Sequence, residues 1–108
     1  MRYCLTLDLK NDPELIAEYE SYHQKVWPEI VQSFYESGIS TMEIYRWENR
    51  LFMIIEAEEG FSFEKKAKSD AENPIVQKWE SLMSTYQEKL PGVKNDEKWQ
   101  LMKNIFKV

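Results

Sequence analysis

The chain has 108 residues, of which 43% are hydrophobic, and its 14 Lys and Arg against 19 Asp and Glu give a formal net charge of -5. This length suits one hydrophobic core, so we predict a single domain over residues 1–108. The net negative charge and the lack of a basic run argue against a nucleic-acid partner, because phosphate contacts require clustered Lys and Arg.

The first ten residues predict a β-strand. Large apolar side chains occupy alternate positions on one face, and they are Tyr3, Leu5, Leu7 and Leu9. This period of two is typical of a strand with one buried face. The opposite face holds Cys4, the only cysteine, which we interpret as a small strand residue. A single cysteine cannot form an internal disulfide, which agrees with a reducing compartment.

A helix with a break should follow this strand. Asp12 is a suitable N-cap and Pro13 suits the first helical turn, so the helix should begin here. Apolar residues then recur at intervals of three or four, which predicts one buried stripe. The stripe consists of Leu15, Tyr19, Tyr22, Val26, Ile30 and Phe34. Pro28 should kink or restart the helix after Trp27, and Gly38 should end it.

The middle of the chain predicts a β-hairpin. Residues 40–47 are rich in β-branched and aromatic side chains, residues 48–50 are turn-like, and residues 51–55 form an apolar run. Both faces of this second strand are apolar, which implies cover on both sides of the sheet. That cover requires something in addition to the chain's own helices.

The last third predicts two helices and a closing strand. One helix covers residues 61–71, and Asn73-Pro74 opens another that runs to about Gln87. Residues 98–108 alternate again, which predicts the closing strand. The fold class is therefore α+β with the order β-α-β-β-α-β, the ferredoxin-like pattern. Since the helices of such a fold cover one face of the sheet, we expect the other face to pair with a second copy in a homodimer.

Several classes of site are absent from the sequence. No segment approaches the roughly 18 apolar residues of a membrane span, so we expect no membrane contact and a cytoplasmic location. Three widely spaced glycines cannot form a phosphate-binding loop. Glu20 and His23 have the helical spacing of di-iron ligands, but such sites need two of these motifs, so we predict no metal.

His23, the only histidine, is the residue best suited to proton transfer at neutral pH. A free imidazole has a pKa of about 6.5 and exchanges its proton readily near neutrality. Tyr19, His23 and Trp27 stand four residues apart and therefore share one face of the helix. This spacing fits a catalytic residue and a partly buried structural histidine about equally well.

Trp79 and Glu80 form a second candidate site. An indole beside a carboxylate suits a sugar, because the indole covers an apolar ring face and the carboxylate accepts hydrogen bonds from hydroxyl groups. The alternative places Trp79 in the core and Glu80 in water, and spacing alone favours that alternative.

The stretch from Tyr19 to Ile30 closely resembles the Tyr-x-x-x-His-x-x-x-Trp-Pro-Glu segment of the L-rhamnose mutarotase family. The resemblance extends through residues 38–45, 49–56 and 76–79. It implies a dimeric α/β barrel of ferredoxin-like subunits. It also implies an isomerase that interconverts the α and β anomers of a monosaccharide and needs no cofactor.

The same resemblance implies roles for individual residues. His23 matches the proton donor of the family. Four further positions match residues that bind substrate, and they are Tyr19, Met42, Trp79 and Glu80. The rhamnose enzymes carry a tyrosine where this chain has Met42 and a tryptophan where it has Glu80, so the sugar can differ. The complementary base is left open among Glu80, Tyr19 and a bound water.

Residues 2–5, residues 42–46 and Lys98-Trp99 resemble sequences assigned as L-fucose mutarotases, which favours L-fucose over L-rhamnose. Two other functions stay open. A cofactor-independent monooxygenase of the same dimeric barrel architecture would hold an aromatic substrate in a Trp- and Tyr-rich pocket. A sugar-binding module without catalysis would use His23 only as a hydrogen-bond partner. Fold alone does not choose among them.

Overall fold

The computed structural model describes residues 1–93 and 97–108. In chain order the elements are β1 (Arg2–Leu9), α1 (Pro13–His23), α2 (Pro28–Glu36), β2 (Ile39–Trp47), β3 (Arg50–Ala57), α3 (Phe63–Ala71), α4 (Pro74–Ser84), β4 (Gln87–Glu88) and β5 (Gln100–Leu101). The sheet order is β2-β3-β1-β4, every pair is antiparallel, and β5 also pairs with β1. This order confirms the predicted ferredoxin-like α+β fold.

The first helical region begins and breaks where the sequence predicts. The Asp12 carboxylate caps α1 by accepting hydrogen bonds from two backbone N–H groups of the first turn, at 2.9 and 3.2 Å. The helix ends at His23, and Pro28 opens α2 directly after Trp27. Gly38 adopts a φ of +97°, which lets the chain turn from α2 into β2. The break therefore produces two helices that meet next to the candidate site.

Strand register places the apolar side chains on the helix-side face of the sheet. Leu5 of β1 and Ile44 of β2 both lie opposite Met53 of β3, and Met42 lies on the same face as Ile44. The buried core has two clusters. The first consists of Leu9, Tyr19, Ile30, Leu51, Val76, Trp79, Met83 and Tyr86. The second consists of Leu5, Ile39, Met53, Ile55 and Ala57, and three side chains contact both clusters: Phe34, Ile44 and Trp99.

The opposite face of the sheet, here called the outer face, carries half-buried and exposed side chains. It is formed by Cys4, Thr6, Asp8, Thr41, Glu43, Tyr45, Trp47, Phe52, Ile54 and Glu56. Tyr45 is 53% exposed and Trp47 is 76% exposed. The prediction that both faces of β3 are apolar is confirmed at Phe52 and Ile54, which lie on the outer face.

Two predictions for the C-terminal third were wrong. The last helix ends at Ser84 and not near residue 87, because Gln87 and its neighbour instead pair with the edge of β1. The closing strand covers only Gln100–Leu101, and residues 102–108 are exposed and outside regular secondary structure. Pairing with β1 therefore prevails over helical propensity at residues 87–88. At the closing strand, the same kind of pairing extends only over residues 100–101. Among the described residues, every helix is too short or too polar to cross a membrane.

Candidate active site

His23 is the last residue of α1 and is half-buried. Its Nδ1 lies 2.8 Å from the carbonyl oxygen of Tyr19, one helical turn earlier. Because a carbonyl oxygen only accepts hydrogen bonds, Nδ1 carries the hydrogen in this contact. Nε2 is then the ring nitrogen that is left to take up and release a proton.

Aromatic rings surround His23 and restrict its orientation. The ring centroids of Tyr19 and His23 are 4.4 Å apart, and the Trp79 ring lies 5.8 Å from His23 in an edge-to-face arrangement. Trp27 and Tyr22 contact the same Trp79 ring, at 5.0 and 6.4 Å. Side chains from α1, the α1–α2 turn and α4 therefore fix the imidazole at the point where the proline break separates the two helices.

Tyr19 is buried, with 3% of its surface exposed. Burial raises the pKa of the Tyr19 phenol to about 12, although a side-chain hydrogen bond with Gln87 opposes the rise. The phenol therefore stays protonated at neutral pH. The raised pKa argues against Tyr19 as the base, one of the three possibilities left open by the sequence, and favours the roles of ring packing and hydrogen-bond donation.

Trp79 and Glu80 are neighbours on α4, but their side chains lie in different surroundings. Trp79 is 8% exposed and belongs to the first core cluster, whereas Glu80 is exposed at the protein surface. The sequence-based alternative, with Trp79 in the core and Glu80 in water, describes their burial correctly. However, Trp79 also contacts His23, so its position in the core and a place beside the candidate site are compatible.

Charged side chains from two other parts of the chain, α3 and the segment before β5, influence the Glu80 carboxyl. Partial desolvation raises the pKa of the Glu80 carboxyl, and the negative charge of Asp70 adds to the rise, while Lys66 and Lys98 oppose it. Lys66 and Asp70 form an ion pair on α3. Burial lowers the pKa of the Lys98 ammonium, and Glu80 opposes that change. Glu80 and Lys98 therefore influence each other's pKa through their opposite charges.

Sequence reasoning did not identify Lys98 as a site residue. It precedes Trp99, which contacts both core clusters, and β5, which pairs with β1. The electrostatic influence between Lys98 and Glu80 therefore joins this segment to α4. No spacing rule relates residues 80 and 98, so only the presence of Lys98-Trp99 in the resemblance to the L-fucose enzymes marked the segment.

Met42 lies apart from the other candidates. It occupies the helix-side face of β2, is half-buried, and packs against the second core cluster, whereas Tyr19 and Trp79 belong to the first. Phe34, Ile44 and Trp99 contact both clusters and so connect Met42 to the site. The structure thus brings Tyr19, His23 and Trp79 into direct contact and places Met42 and Glu80 at the margins.

Glu20 takes part in an ion pair. Its carboxylate pairs with Arg46 of β2, which links α1 to the sheet next to His23. Over residues 1–93 and 97–108, no three His, Cys, Asp or Glu side chains are grouped in a way that could hold a metal ion.

A groove of about 740 Å³ opens on the other flank of α1. It is lined by residues of α1 and the α1–α2 turn together with Tyr86, and it includes Tyr22 and Trp27 from the aromatic cluster. Burial raises the pKa of Tyr86 to about 12, and a hydrogen bond with Glu18 adds to the rise. His23 is not among the residues that line the groove.

Solved structures show the same fold. An L-rhamnose mutarotase from Formosa agariphila superimposes with a TM-score of 0.74 at 22% identity, covering 100% of this chain and 98% of that chain. Tetracenomycin F2 cyclase from Streptomyces glaucescens, a type-II polyketide cyclase, superimposes with a TM-score of 0.67 at 16% identity, covering 100% and 96%. Both similarities confirm the fold, and they do not distinguish between the functions of the two neighbours.

Sequence comparison distinguishes them. An L-fucose mutarotase from Xanthomonas campestris pv. campestris is 43% identical over 107 residues, which cover 97% of this chain and 86% of that protein. An L-rhamnose mutarotase from Lachnoclostridium phytofermentans is 34% identical over 91 residues, which cover 82% of each chain. The sequence model of the family described as L-rhamnose mutarotase matches residues 2–108. This chain therefore belongs to the L-rhamnose mutarotase family.

Proposed function

We propose that this protein is an isomerase that interconverts the α and β anomers of a 6-deoxyhexose, with L-fucose favoured over L-rhamnose. The observation that carries the proposal is the setting of His23, whose Nδ1 is held by the Tyr19 carbonyl while aromatic rings flank the imidazole. Family membership and the 43% identity to an L-fucose mutarotase support the same reaction and the same sugar.

The reaction needs two proton transfers. In ring opening, His23 acts as the imidazolium: it keeps the proton on Nδ1, delivers the proton on Nε2 to the ring oxygen and becomes neutral, while a base removes the proton of the anomeric hydroxyl. The bond between C1 and the ring oxygen breaks, and C1 becomes an aldehyde. After rotation about the C1–C2 bond, the reverse transfers close the ring on the other face of C1. Each positioned proton transfer contributes about 10²- to 10⁴-fold, which suffices for a reaction that also proceeds unaided in water.

We assign the base to Glu80 or to a water held by it. Tyr19 is poorly suited to act as the base, because the pKa of its phenol is raised to about 12 and the phenol is therefore protonated at neutral pH. Partial desolvation raises the pKa of Glu80, which makes its carboxylate a stronger proton acceptor than a fully solvated one. The positive charge of Lys98 opposes the rise in the pKa of Glu80, which favours the ionised carboxylate that a base requires.

The remaining candidates bind the sugar. Trp79, which is 8% exposed, would contact an apolar sugar face through the part of its indole that stays accessible, and Met42 would contribute a flexible apolar side chain on β2. Tyr19 donates a hydrogen bond or packs behind the imidazole. The two positions at which this chain departs from the rhamnose enzymes, Met42 and Glu80, support a difference in sugar preference.

We further propose that the protein is a homodimer in which the outer faces of two sheets pack together. Phe52 and Ile54 supply apolar area at the centre of this face, and Tyr45 and Trp47 supply aromatic side chains at its edge. Monomeric proteins rarely leave such a contiguous apolar surface in water. Each subunit keeps its own site on the helix side of the sheet.

Magnetisation-transfer NMR on equilibrated sugar measures anomer exchange directly. We expect the protein to accelerate exchange of L-fucose more strongly than that of L-rhamnose. A binding module without catalysis would show saturable sugar binding and no acceleration, and oxygen uptake with quinol-type substrates would identify a monooxygenase. Lack of acceleration with every 6-deoxyhexose would sink the proposal.

A further inference from the structure

The last turn of α1 carries the His23 imidazole at the end of a lightly anchored helix. Tyr19 is the one buried residue of α1, and Leu15 and Ile16, nearer its start, pack at the margin of the first core cluster. The helix ends at His23, and Pro28 begins a new one. A proton-transferring imidazole in this place gains from a further restraint, because catalysis depends on its orientation.

The ion pair between Glu20 and Arg46 supplies such a restraint. Arg46 Nε donates a hydrogen bond to the Glu20 carboxylate, so the last turn of α1 is tied to the end of β2, 26 residues later in the chain. Side chains three positions apart on a helix are neighbours, with Cβ atoms about 5–6 Å apart, so Glu20 lies beside His23. The position of the Glu20 carboxylate therefore affects the electrostatic surroundings of the imidazole.

Arg46 is itself held by the hairpin turn between β2 and β3. Its Nη1 donates to the Glu48 carbonyl oxygen at 2.7 Å. Asn49, the next residue, fixes the turn to the end of β1, because its Nδ2 donates to the Leu9 carbonyl at 3.0 Å and its own carbonyl accepts from Leu9 N–H at 2.7 Å. A guanidinium group makes both of its contacts at once because its N–H groups form a rigid fork. The guanidinium therefore connects a fixed turn of the sheet to Glu20.

The exposure of the pair favours a local role over a contribution to overall stability. The side chains of Arg46 and Glu20 are 34% and 50% exposed, and ion pairs this exposed contribute little to the free energy of unfolding. Their effect on a neighbouring imidazole is different, because an unpaired carboxylate beside it favours the imidazolium form. Loss of Arg46 would free the Glu20 carboxylate to approach His23, and the imidazolium would then be a weaker acid.

We propose that Arg46 is a positioning residue for His23, which holds the Glu20 carboxylate at the end of β2 and thereby keeps it from pairing with the imidazolium. The proposal rests on the anomer exchange proposed above, in which the imidazolium gives its Nε2 proton to the ring oxygen of the sugar. A freed carboxylate would bind that imidazolium and make proton delivery less favourable. Arg46 acts through Glu20 and does not itself touch the reacting atoms.

Other titratable groups around His23 differ from the ion pair in place or in charge. Glu80 follows Trp79 on α4, whose ring contacts His23, and the Glu80 side chain is exposed. Lys25 and Glu18 line the groove on the other flank of α1 as opposite charges. The aromatic cluster contributes phenols, which are uncharged at neutral pH, and they are Tyr19, Tyr22 and Tyr86. A change in the ion pair should therefore be visible in the titration of the imidazole.

NMR titration of the imidazole tests the proposal without any sugar, because His23 is the only histidine and its ring signals are unambiguous. We expect Arg46→Gln to raise the titration midpoint by about half a pH unit, since a freed carboxylate about 5–6 Å away favours the imidazolium. In a Glu20→Gln background the same substitution should have a clearly smaller effect, because there is no carboxylate to free. Arg46→Lys keeps the charge and should stay close to the wild type.

Arg2→Gln is the matched control, because Arg2 also pairs with a carboxylate, that of Glu56, but at the start of β1 and away from Leu9 at its end. It should leave the midpoint unchanged. An unchanged midpoint in Arg46→Gln, an equal rise in both backgrounds, or an equal rise in Arg2→Gln would overturn the proposal. Should Arg46→Gln fail to fold, Glu20→Gln alone decides: the unpaired Arg46 cation should lower the midpoint, and no decrease would overturn the proposal.

The pH profile of anomer exchange is measured on the same samples. Because the imidazolium is the acid, the pH at which exchange declines should move upward in Arg46→Gln together with the titration midpoint. A profile that stays in place while the midpoint moves would contradict the link between Arg46 and proton delivery. A moving midpoint with no anomer exchange in the wild type would support the effect of Arg46 on the imidazole and contradict the proposed enzyme.

Discussion

The His23 imidazole has one nitrogen fixed and the other available. The Nδ1 contact to the Tyr19 carbonyl selects the tautomer, and the Tyr19 and Trp79 rings limit rotation of the imidazole. A proton donor gains from such restraint, because its free nitrogen is already oriented when the sugar binds. The sequence placed Tyr19 and His23 on one helical face, but only the packing shows which ring nitrogen is free.

Glu80 is the residue at which the choice of sugar can be tested. We expect Glu80→Trp, which restores the residue type of the rhamnose enzymes, to shift the ratio of exchange rates toward L-rhamnose by roughly tenfold or more. NMR anomer exchange with L-fucose and L-rhamnose in parallel measures this ratio. Glu80→Gln serves as the control because it removes the carboxylate while keeping the shape of the side chain, so its rates with both sugars should fall together and leave the ratio unchanged. An unchanged ratio in Glu80→Trp would show that Glu80 does not set the preference.

Tyr19 predicts how stability depends on alkaline pH. Because burial raises its pKa to about 12, the folded protein keeps a proton that an unfolded chain releases from about pH 10. The stabilisation is complete below about pH 10 and is lost as the pH rises through about 12. We expect the urea midpoint of the wild type to fall over this interval and that of Tyr19→Phe to fall less. Tyr35→Phe, at a residue 61% exposed, should behave like the wild type.

Lys98 shows the limit of sequence reasoning at the residue scale. Periodicity relates residues of one helix, as it does for Tyr19, His23 and Trp27. It does not relate Glu80 on α4 to Lys98, because their approach depends on how the last segment crosses the fold to reach β1. Charge coupling across distant parts of a chain becomes visible only in three dimensions.

At the scale of elements, α1 carries the site, and its two ends have different roles. Asp12 caps the N-terminus, and His23 stands at the C-terminus, where Pro28 forces a new helix to begin. Asp12→Ala should lower the free energy of unfolding by about 1 kcal/mol, since two backbone N–H groups lose their acceptor. Urea unfolding of this variant beside Asn11→Ala, the exposed preceding residue, measures the cost. Equal stability of both variants with the wild type would show that the cap is dispensable.

Elements whose local sequence has a clear physical cause were predicted correctly, whereas the length of the closing strand was not. Alternation in β1, the proline break at Pro28 and the hairpin around Glu48 each have a local physical cause, and the structure contains all three. The segment 98–108 has the alternation of a strand, but β1 provides a partner only as far as Leu101. A strand pattern states a preference, whereas the length of the strand depends on what lies beside it.

For the whole molecule, the fold does not determine the function. The same sheet and helices occur in an L-rhamnose mutarotase and in a polyketide cyclase, so the architecture alone does not identify the reaction. The assignment to anomer exchange depends instead on the residues around His23 and on the match to the family. The single-domain assignment and the cytoplasmic location stay predictions from the sequence.

Dimerisation has a consequence for heat stability. If two copies bury their outer faces, unfolding is coupled to dissociation, and the midpoint temperature must rise with protein concentration. We expect a clear rise over a hundredfold range of concentration in calorimetry or circular dichroism. The variant Ile54→Lys, which places a charge at the centre of the outer face, should remove this dependence. A wild-type midpoint that is independent of concentration would contradict the dimer.

We propose that His23 transfers a proton during anomer exchange, and NMR magnetisation transfer on L-fucose with wild type and His23→Ala tests this role. We predict that the substitution lowers the exchange rate by about 10²- to 10⁴-fold, while Ser21→Ala, at an exposed residue of the same helix, retains the wild-type rate. Equal thermal midpoints would show that all three proteins are folded. Undiminished exchange in His23→Ala would contradict the claim.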